Sequence, residues 1–178
     1  MNGAILAGGA GTRLGGVSKA MLALGGRPLA VHVGDVLAQV CEPVAIVCKP
    51  DTELPNIGGV ERWDEPAEPR HPLTGIVHAL ERAAGPVLVC AVDMPWVTAD
   101  ACRSLLAAAP GAPAAVAVGA GEMCPVFGVY SREALDTLRA APADVPLRRT
   151  VDSLDPARVA LPPALLRSVN ERGDLTSA

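Results

Sequence analysis

Residues near the start of the chain combine glycines and two cations in a spacing suited to binding phosphate. Five glycines fall within the nine positions from 8 to 16, and Arg13 and Lys19 place positive charges in and just after this stretch. Closely spaced glycines let backbone N–H groups turn towards one concave spot that holds anionic oxygens. Lys19 is one of only two lysines in the chain, which favours a selected position. The stretch predicts a phosphate-binding loop, and the alternative is a mobile glycine-rich connection.

Two common nucleotide-binding templates fail in this stretch. Gly11 and Gly16 have the spacing of a P-loop, but the lysine and hydroxyl residue that must follow the second glycine are missing. In the dinucleotide fingerprint, Leu14 occupies the place of the third glycine. A dehydrogenase also needs an acidic residue at the end of a second strand, and none is present. The sequence therefore argues against both classes.

Candidate oxygen ligands for a metal follow apolar runs later in the chain. Asp93 comes directly after the run 86–92, so its carboxylate is predicted at the rim of a sheet. Mg²⁺ prefers oxygen ligands and usually takes one or two carboxylates plus substrate phosphates. Asn170 follows the apolar run 165–169, predicted as another strand end, and Asp64 is a weaker candidate in an acidic loop. The alternatives are a helix cap for Asp93 and ordinary loop positions for the other two.

The elements that must position these residues alternate between strand and helix. Wholly apolar runs, typical of strands buried on both faces, occupy 4–7, 44–48 and 86–92. Helical periodicity covers 29–41, 73–84 and 98–109. Further strands are predicted at 60–63, 114–118 and 125–130, and further helices at 131–140, where Ser131 is the expected cap, and 147–154. The alternation predicts an α/β fold with a largely parallel sheet, helices on both faces and a ligand beyond the carboxyl ends of the strands.

Composition limits the class of protein. A chain of 178 residues fits a single domain spanning 1–178. A net charge of −4 argues against a nucleic-acid partner, and the lack of a long apolar stretch or signal pattern predicts a cytoplasmic protein with no membrane contact. The five cysteines are widely spaced without a C-x-x-C pair, so we expect all five to be structural thiols.

Four motifs, in this order, resemble the molybdenum cofactor guanylyltransferases, the nucleotidyltransferases that attach GMP to molybdopterin. The motifs are Leu6-Ala7-Gly8-Gly9 with Arg13, Gly15-Gly16 and Lys19; Pro72-Leu73-Thr74-Gly75; Asp93-Met94-Pro95; and Val169-Asn170 with Leu175. They run from residue 6 to residue 175, so the resemblance covers nearly the whole chain. It implies one three-layer α/β/α Rossmann-like domain, similar to the nucleotide-diphospho-sugar transferases, that uses GTP and Mg²⁺.

The resemblance also implies roles for single residues. GTP contacts would come from Leu6, Ala7, Gly8, Gly9, Gly11, Arg13, Lys19, Asp64 and Asp93, of which Arg13, Lys19 and Asp93 act in catalysis. Asp93 would bind Mg²⁺, with Asn170 as a further ligand. Molybdopterin is the implied second substrate, and molybdenum insertion proteins and molybdoenzyme chaperones are the implied partners. Relatives that transfer CMP usually read A-A-G where this chain has Ala7-Gly8-Gly9, which favours GTP.

Three positions depart from the family pattern. Ser18 replaces an acid before the lysine, His71 replaces a glycine, and Thr74 replaces a common alanine. These changes leave the predicted triphosphate contacts intact and bear on base and pterin recognition. Two alternatives stay open: a nucleotidyltransferase that uses CTP or another nucleotide on molybdopterin or a sugar phosphate, and a GTP-binding protein without catalytic activity.

Overall fold

The computed structural model of the chain describes residues 1–9, 18–142 and 144–176. The strands are β1 Asn2–Leu6, β2 Ala23–Leu24, β3 Arg27–Pro28, β4 Val44–Cys48, β5 Val60–Asp64, β6 Val87–Ala91, β7 Ala114–Gly119, β8 Glu122–Tyr130 and β9 Ala157–Ala160. The α-helices are α1 Leu29–Leu37, α2 Pro72–Arg82, α3 Ala99–Ala108, α4 Leu135–Ala140 and α5 Leu147–Asp152. Short 3₁₀ turns occupy Lys19–Met21, Arg132–Ala134, Pro163–Leu166 and Arg172–Thr176.

Seven strands form one central sheet in the order β5-β4-β1-β6-β8-β7-β9. The run β5-β4-β1-β6 is parallel throughout, and β1 pairs Leu6 with Val47 of β4 on one side and with Ala91 of β6 on the other. Strand β8 is antiparallel to both β6 and β7, whereas β9 returns parallel to β7. The predicted α/β fold with a mostly parallel sheet is confirmed. Strand order reverses on the two sides of β1, the place where such sheets bind ligands.

Helices cover both faces of the sheet because the side chains of each strand alternate between two cores. In β1, Ala4 and Leu6 pack with α2, α4 and α5, whereas Ile5 packs on the opposite face with α1 and α3. All five residues of β4 are buried, as expected of a strand covered on both sides. The result is three layers: helices, sheet and helices.

The predicted helix starts are confirmed in part. Thr98 caps α3 by accepting a hydrogen bond from the Ala101 N–H at 3.2 Å. His71 caps α2, because its Nδ1 accepts from the Leu73 N–H at 3.2 Å ahead of Pro72. Ser131 lies at the expected N-cap position, ahead of the 3₁₀ turn that leads into α4, but the expected side-chain cap is wrong, because its buried hydroxyl makes no bond to that turn.

The predicted strand before Asn170 is also wrong. Residues 163–166 form a 3₁₀ turn, and the segment that follows is irregular up to Asn170. Pro163 is the first residue of this turn, and its fixed φ suits a helical start, which takes Leu165 and Leu166 out of the predicted strand. The Val169 N–H instead donates to the carbonyl of Asp93 at 2.8 Å, which ties this segment to the end of β6.

A small hairpin leads from the 3₁₀ turn at Lys19 into α1. Strands β2 and β3 are antiparallel and joined by Gly25 and Gly26, whose φ values of 58° and 80° suit a two-residue turn. The five cysteines are free; four are buried and Cys124 is half-buried. Burial raises the pKa of the Cys41, Cys48 and Cys124 thiols to about 11, consistent with inert thiols. None of the described helices is long and apolar enough to cross a membrane.

Candidate active site

A cleft of about 470 Å³ opens at the carboxyl ends of the central parallel strands. Its floor is formed by Leu6, Ala7, Gly8 and Gly9, which run from the end of β1. Lys19, Asp93 and Asn170 line the β6 side, and Glu65, Arg70 and His71 line the β4–β5 side. The sequence motifs that are far apart in the chain therefore meet in one cleft.

The β6 side of the cleft carries a lysine that donates hydrogen bonds to two side-chain oxygens. The Lys19 ammonium donates to Asp93 Oδ2 at 2.6 Å and to Asn170 Oδ1 at 3.2 Å. The Lys19 and Asp93 side chains are 23% and 19% exposed, so both are open to a ligand in the cleft. The three residues predicted from separate motifs form one cluster whose two oxygens converge on a single cation.

Asn170 is held in this cluster by the turn that follows it. Asp174 Oδ2 accepts hydrogen bonds from the backbone N–H groups of Asn170 and Glu171, at 2.8 and 2.9 Å. These two bonds hold the pKa of the half-buried Asp174 carboxyl below its usual value. Together with the Val169 bond to the Asp93 carbonyl, they fix the backbone on both sides of Asn170.

The β4–β5 side carries a second lysine–carboxylate pair, which the sequence did not indicate. Lys49 follows β4, and its ammonium lies 3.4 Å from Glu65 Oε1 and donates to the carbonyls of Pro66 at 2.6 Å and Pro69 at 2.9 Å. Both side chains are buried, at 1% and 3% exposure. Burial raises the pKa of the Glu65 carboxyl, and the Lys49 charge opposes that rise. The available signal was that Lys49 is one of two lysines and follows a wholly apolar strand.

Asp64 lies apart from the cleft-lining residues. Its carboxylate is half exposed and accepts from Arg62 Nε at 2.7 Å, whereas the next residue, Glu65, lines the cleft. Successive side chains of an extended chain point to opposite faces, which explains why the neighbour takes this place. A nucleotide contact by Asp64 stays a prediction. Gly11 and Arg13 lie outside the described residues, so their predicted roles stay predictions as well.

The fold and cleft together define a class: an α/β protein with a cleft at the carboxyl edge of a parallel sheet, the place where such folds bind ligands, lined by glycines and by carboxylates. The chain belongs to the family described as the MobA-like NTP transferase domain, which matches residues 3–159. It is therefore a nucleotidyltransferase.

Known relatives agree with this assignment. A molybdenum cofactor guanylyltransferase of Cereibacter sphaeroides is 36% identical over 143 residues, which cover 78% of this chain and 72% of the relative. Molybdopterin-guanine dinucleotide biosynthesis protein A from Archaeoglobus fulgidus has a TM-score of 0.76 at 22% identity, covering 99% of this chain and 95% of that one. The 2-C-methyl-D-erythritol 4-phosphate cytidylyltransferase from Thermus thermophilus has a TM-score of 0.70 at 22% identity, covering 98% and 95%. The two solved structures share the fold.

Proposed function

We propose that the protein transfers GMP from GTP to the terminal phosphate of molybdopterin and releases pyrophosphate. The observation that carries the proposal is the cluster of Lys19, Asp93 and Asn170, which lines the same cleft as Gly8 and Gly9. The name of the Cereibacter sphaeroides relative, 36% identical, supports guanylyl transfer in molybdenum cofactor synthesis. The protein is proposed to act as one domain spanning its length.

In the proposed reaction, an oxygen of the molybdopterin phosphate forms a bond to the α-phosphorus of GTP. The bond from that phosphorus to the β-phosphate oxygen breaks, and pyrophosphate leaves with its electron pair. A phosphate monoester has a second pKa of about 6, so the attacking oxygen is already ionised near neutral pH. The reaction therefore needs positioning and charge neutralisation rather than a strong general base.

The described residues supply these functions at the β6 side of the cleft. Lys19 exchanges Asp93 for phosphate oxygens when the nucleotide binds, because both partners are accessible and the ammonium has three donors. Backbone N–H groups of Gly8 and Gly9 are proposed to bind phosphate oxygens, and Arg13 is proposed to add a second cation there. Held between these groups, the α-phosphorus faces the incoming phosphate.

The donor set suits Mg²⁺. Two hard oxygens, Asp93 Oδ2 and Asn170 Oδ1, already converge on one cation, the Lys19 ammonium. No three His, Cys, Asp or Glu side chains gather into a metal site in the described part of the chain, so Asp93 and Asn170 would hold Mg²⁺ together with phosphate oxygens of the substrate. When bound, Mg²⁺ neutralises charge on the phosphate oxygens during transfer.

The test is incubation with GTP, Mg²⁺ and molybdopterin-loaded carrier protein, with the product identified by mass and pyrophosphate measured in parallel. We expect a pterin product heavier by one GMP unit and an equal amount of pyrophosphate. Parallel reactions with CTP, UTP and TTP distinguish the alternative nucleotides. A preference for CTP, or binding of GTP without pyrophosphate release, would contradict the proposal.

A further inference from the structure

The Glu65 carboxylate is buried in the cleft wall with one oxygen that makes no hydrogen bond. Glu65 is 4% exposed, and its Oε2 has no partner among the described residues. A hydrogen bond from the Glu65 N–H to the Cys48 carbonyl, at 2.9 Å, holds the residue against the end of β4. Buried side-chain oxygens nearly always have a partner, so an unpaired carboxylate oxygen in a binding cleft needs an explanation.

The ion pair with Lys49 does not supply that explanation. Lys49 has three N–H donors: two bond the Pro66 and Pro69 carbonyls, and the ammonium makes an ion pair with Glu65 Oε1 at 3.4 Å. The Lys49–Glu65 distance of 3.4 Å exceeds the usual length of about 2.7–2.9 Å for a charged hydrogen bond. Lys49 is therefore satisfied, whereas the carboxylate keeps capacity to accept further hydrogen bonds.

Two glycines make room for this carboxylate. A Cβ on Gly8 would overlap Glu65 Oε1, and a Cβ on Gly75 would lie 3.3 Å from Glu65 Oε2 and 3.0 Å from Leu6. The carboxylate therefore lies directly between the cleft floor and the first turn of α2. The terminal torsion of glutamate is broad, so the carboxylate can turn in place and present either oxygen to the cleft.

Glu65 and the Lys19 cluster lie on opposite sides of β1. Strand β4, to which Glu65 is bonded, pairs with one edge of β1, and β6, which ends before Asp93, pairs with the other. The end of β1 lies between them, so a nucleotide with its phosphates beside Lys19 and Asp93 that extends across this end brings its base to the Glu65 side. The proposed function supplies the nucleotide on which this inference rests.

We propose that Glu65 selects the base by accepting hydrogen bonds from the N1–H and the 2-amino group of guanine. Guanine alone among the common bases has two adjacent N–H donors on this edge. Adenine and cytosine present a ring nitrogen acceptor there, and uracil and thymine flank their single N–H with carbonyl oxygens. A carboxylate accepts only, so it pairs with guanine and repels the others.

Such a contact discriminates strongly between guanine and the other bases, because a base without these two donors leaves the buried Glu65 oxygen without a hydrogen bond. A site built to hydrogen-bond one substrate rejects the analogue that lacks the group, since its own polar atoms then stay unpaired. Lys49 assists as a positioning residue: its charge opposes the rise in the Glu65 pKa that burial causes, and the ion pair holds Oε1 in place beside the cleft.

The test measures nucleotide binding by titration calorimetry with Mg²⁺, without the second substrate. For the wild-type chain we expect GTP to bind about tenfold or more tightly than ITP, which lacks only the 2-amino group. Wild-type protein that binds GTP and ITP equally would overturn the inference. Because this measurement uses the wild-type chain alone, no change in folding enters the comparison.

Glu65→Gln provides a gain of binding. The glutamine oxygen keeps the Lys49 contact while its NH₂ donates towards the base, which suits the 2-carbonyl of xanthine. We expect GTP affinity to fall about tenfold or more and XTP affinity to rise by a similar factor. The matched control is Glu53→Gln, the same change at an exposed position between β4 and β5, which should leave both affinities unchanged.

The outcomes separate this inference from the proposed function. GTP binding with no discrimination against ITP, or a Glu65→Gln variant that is folded but gains nothing for XTP, overturns the role of Glu65 and leaves guanylyl transfer standing. A wild-type chain that binds no GTP overturns both.

Discussion

Two lysine–carboxylate pairs flank strand β1, and they differ in burial, length and surroundings. Lys19 and Asp93 are about one-fifth exposed and lie 2.6 Å apart, whereas Lys49 and Glu65 are almost wholly buried and lie 3.4 Å apart. Within the described residues the Lys19 ammonium donates to side chains only, whereas the Lys49 ammonium donates to two backbone carbonyls. The accessible pair can exchange partners with a ligand at little cost, and the buried pair cannot.

The two lysines are therefore expected to have different roles, one in activity and the other in stability. We expect Lys19 to matter for activity and little for stability, because its pair is open to solvent. Lys49 should matter for stability, because its removal leaves the buried Glu65 carboxylate without its cation and takes a donor from the Pro66 carbonyl. Identical substitutions at the two positions test this division directly.

The largest effect on folding is expected from Lys49→Met. The methionine fills the space of the aliphatic stem, but the buried Glu65 carboxylate loses its cation and the Pro66 carbonyl loses the Lys49 donor, whereas the Pro69 carbonyl keeps its bond from the Thr74 hydroxyl at 3.2 Å. We expect a loss of about 3–5 kcal/mol in the free energy of unfolding, measured by urea denaturation. The control is Lys19→Met, which should cost less than about 1 kcal/mol. A loss at Lys49 no larger than that at Lys19 would remove the distinction between the pairs.

For the reaction rate we expect the opposite order, with the larger effect at the Lys19–Asp93 pair. Lys19→Met removes the proposed phosphate cation, and Asp93→Asn removes the proposed charged Mg²⁺ ligand. We expect each to lower the rate of pyrophosphate release by about a hundredfold or more, with the folded state intact. Asp100→Asn, an exposed change at the start of α3, serves as the matched control. Activity near that of the wild type in either variant would contradict the role assigned to that residue.

A smaller effect is expected in the pH dependence of stability. Burial raises the pKa of Glu65 above its usual value of 4.5, so the folded state holds this proton more tightly than the unfolded state. The contribution of Glu65 to stability is therefore favourable at low pH and is lost as the pH rises from 4.5 through the raised pKa. Glu65→Gln does not titrate. The stability of the wild type relative to Glu65→Gln should fall with rising pH in this window, and a rise would show that the attraction of Lys49 outweighs burial.

Much of the architecture could be predicted because apolar runs and helical periodicity are local signals. The runs at β1, β4 and β6 read correctly as buried parallel strands, and Asp93 was expected at the rim that it occupies. The Lys49–Glu65 pair could not be predicted, since its two members come from different strands and only their pairing shows that both are buried. The resemblance predicted a nucleotide contact for Asp64, whereas the structure turns the neighbouring Glu65 side chain to the cleft. Which of two successive side chains faces the cleft is decided by packing.

Asn170 shows the same limit, because its place in the cleft depends on bonds that no local pattern encodes. The apolar run before it was predicted as a strand, yet a backbone bond to Asp93 and the carboxylate of Asp174 position it instead. Asn170 therefore lines the cleft as predicted, although the strand expected to place it there is absent from the described residues. Its role as a metal ligand stays a prediction.

The smallest effect is expected from Asp174→Asn. The amide oxygen accepts more weakly than a carboxylate, so the Asn170 and Glu171 N–H bonds loosen while the turn is kept. If Asn170 holds Mg²⁺, the concentration of Mg²⁺ that gives half-maximal activity should rise a few-fold, with the rate at saturating Mg²⁺ nearly unchanged. Glu171→Gln, exposed and three residues earlier, is the matched control and should shift neither quantity. An equal loss of rate at every Mg²⁺ concentration would instead place Asn170 on the substrate, because loosening a substrate contact cannot be restored by more metal.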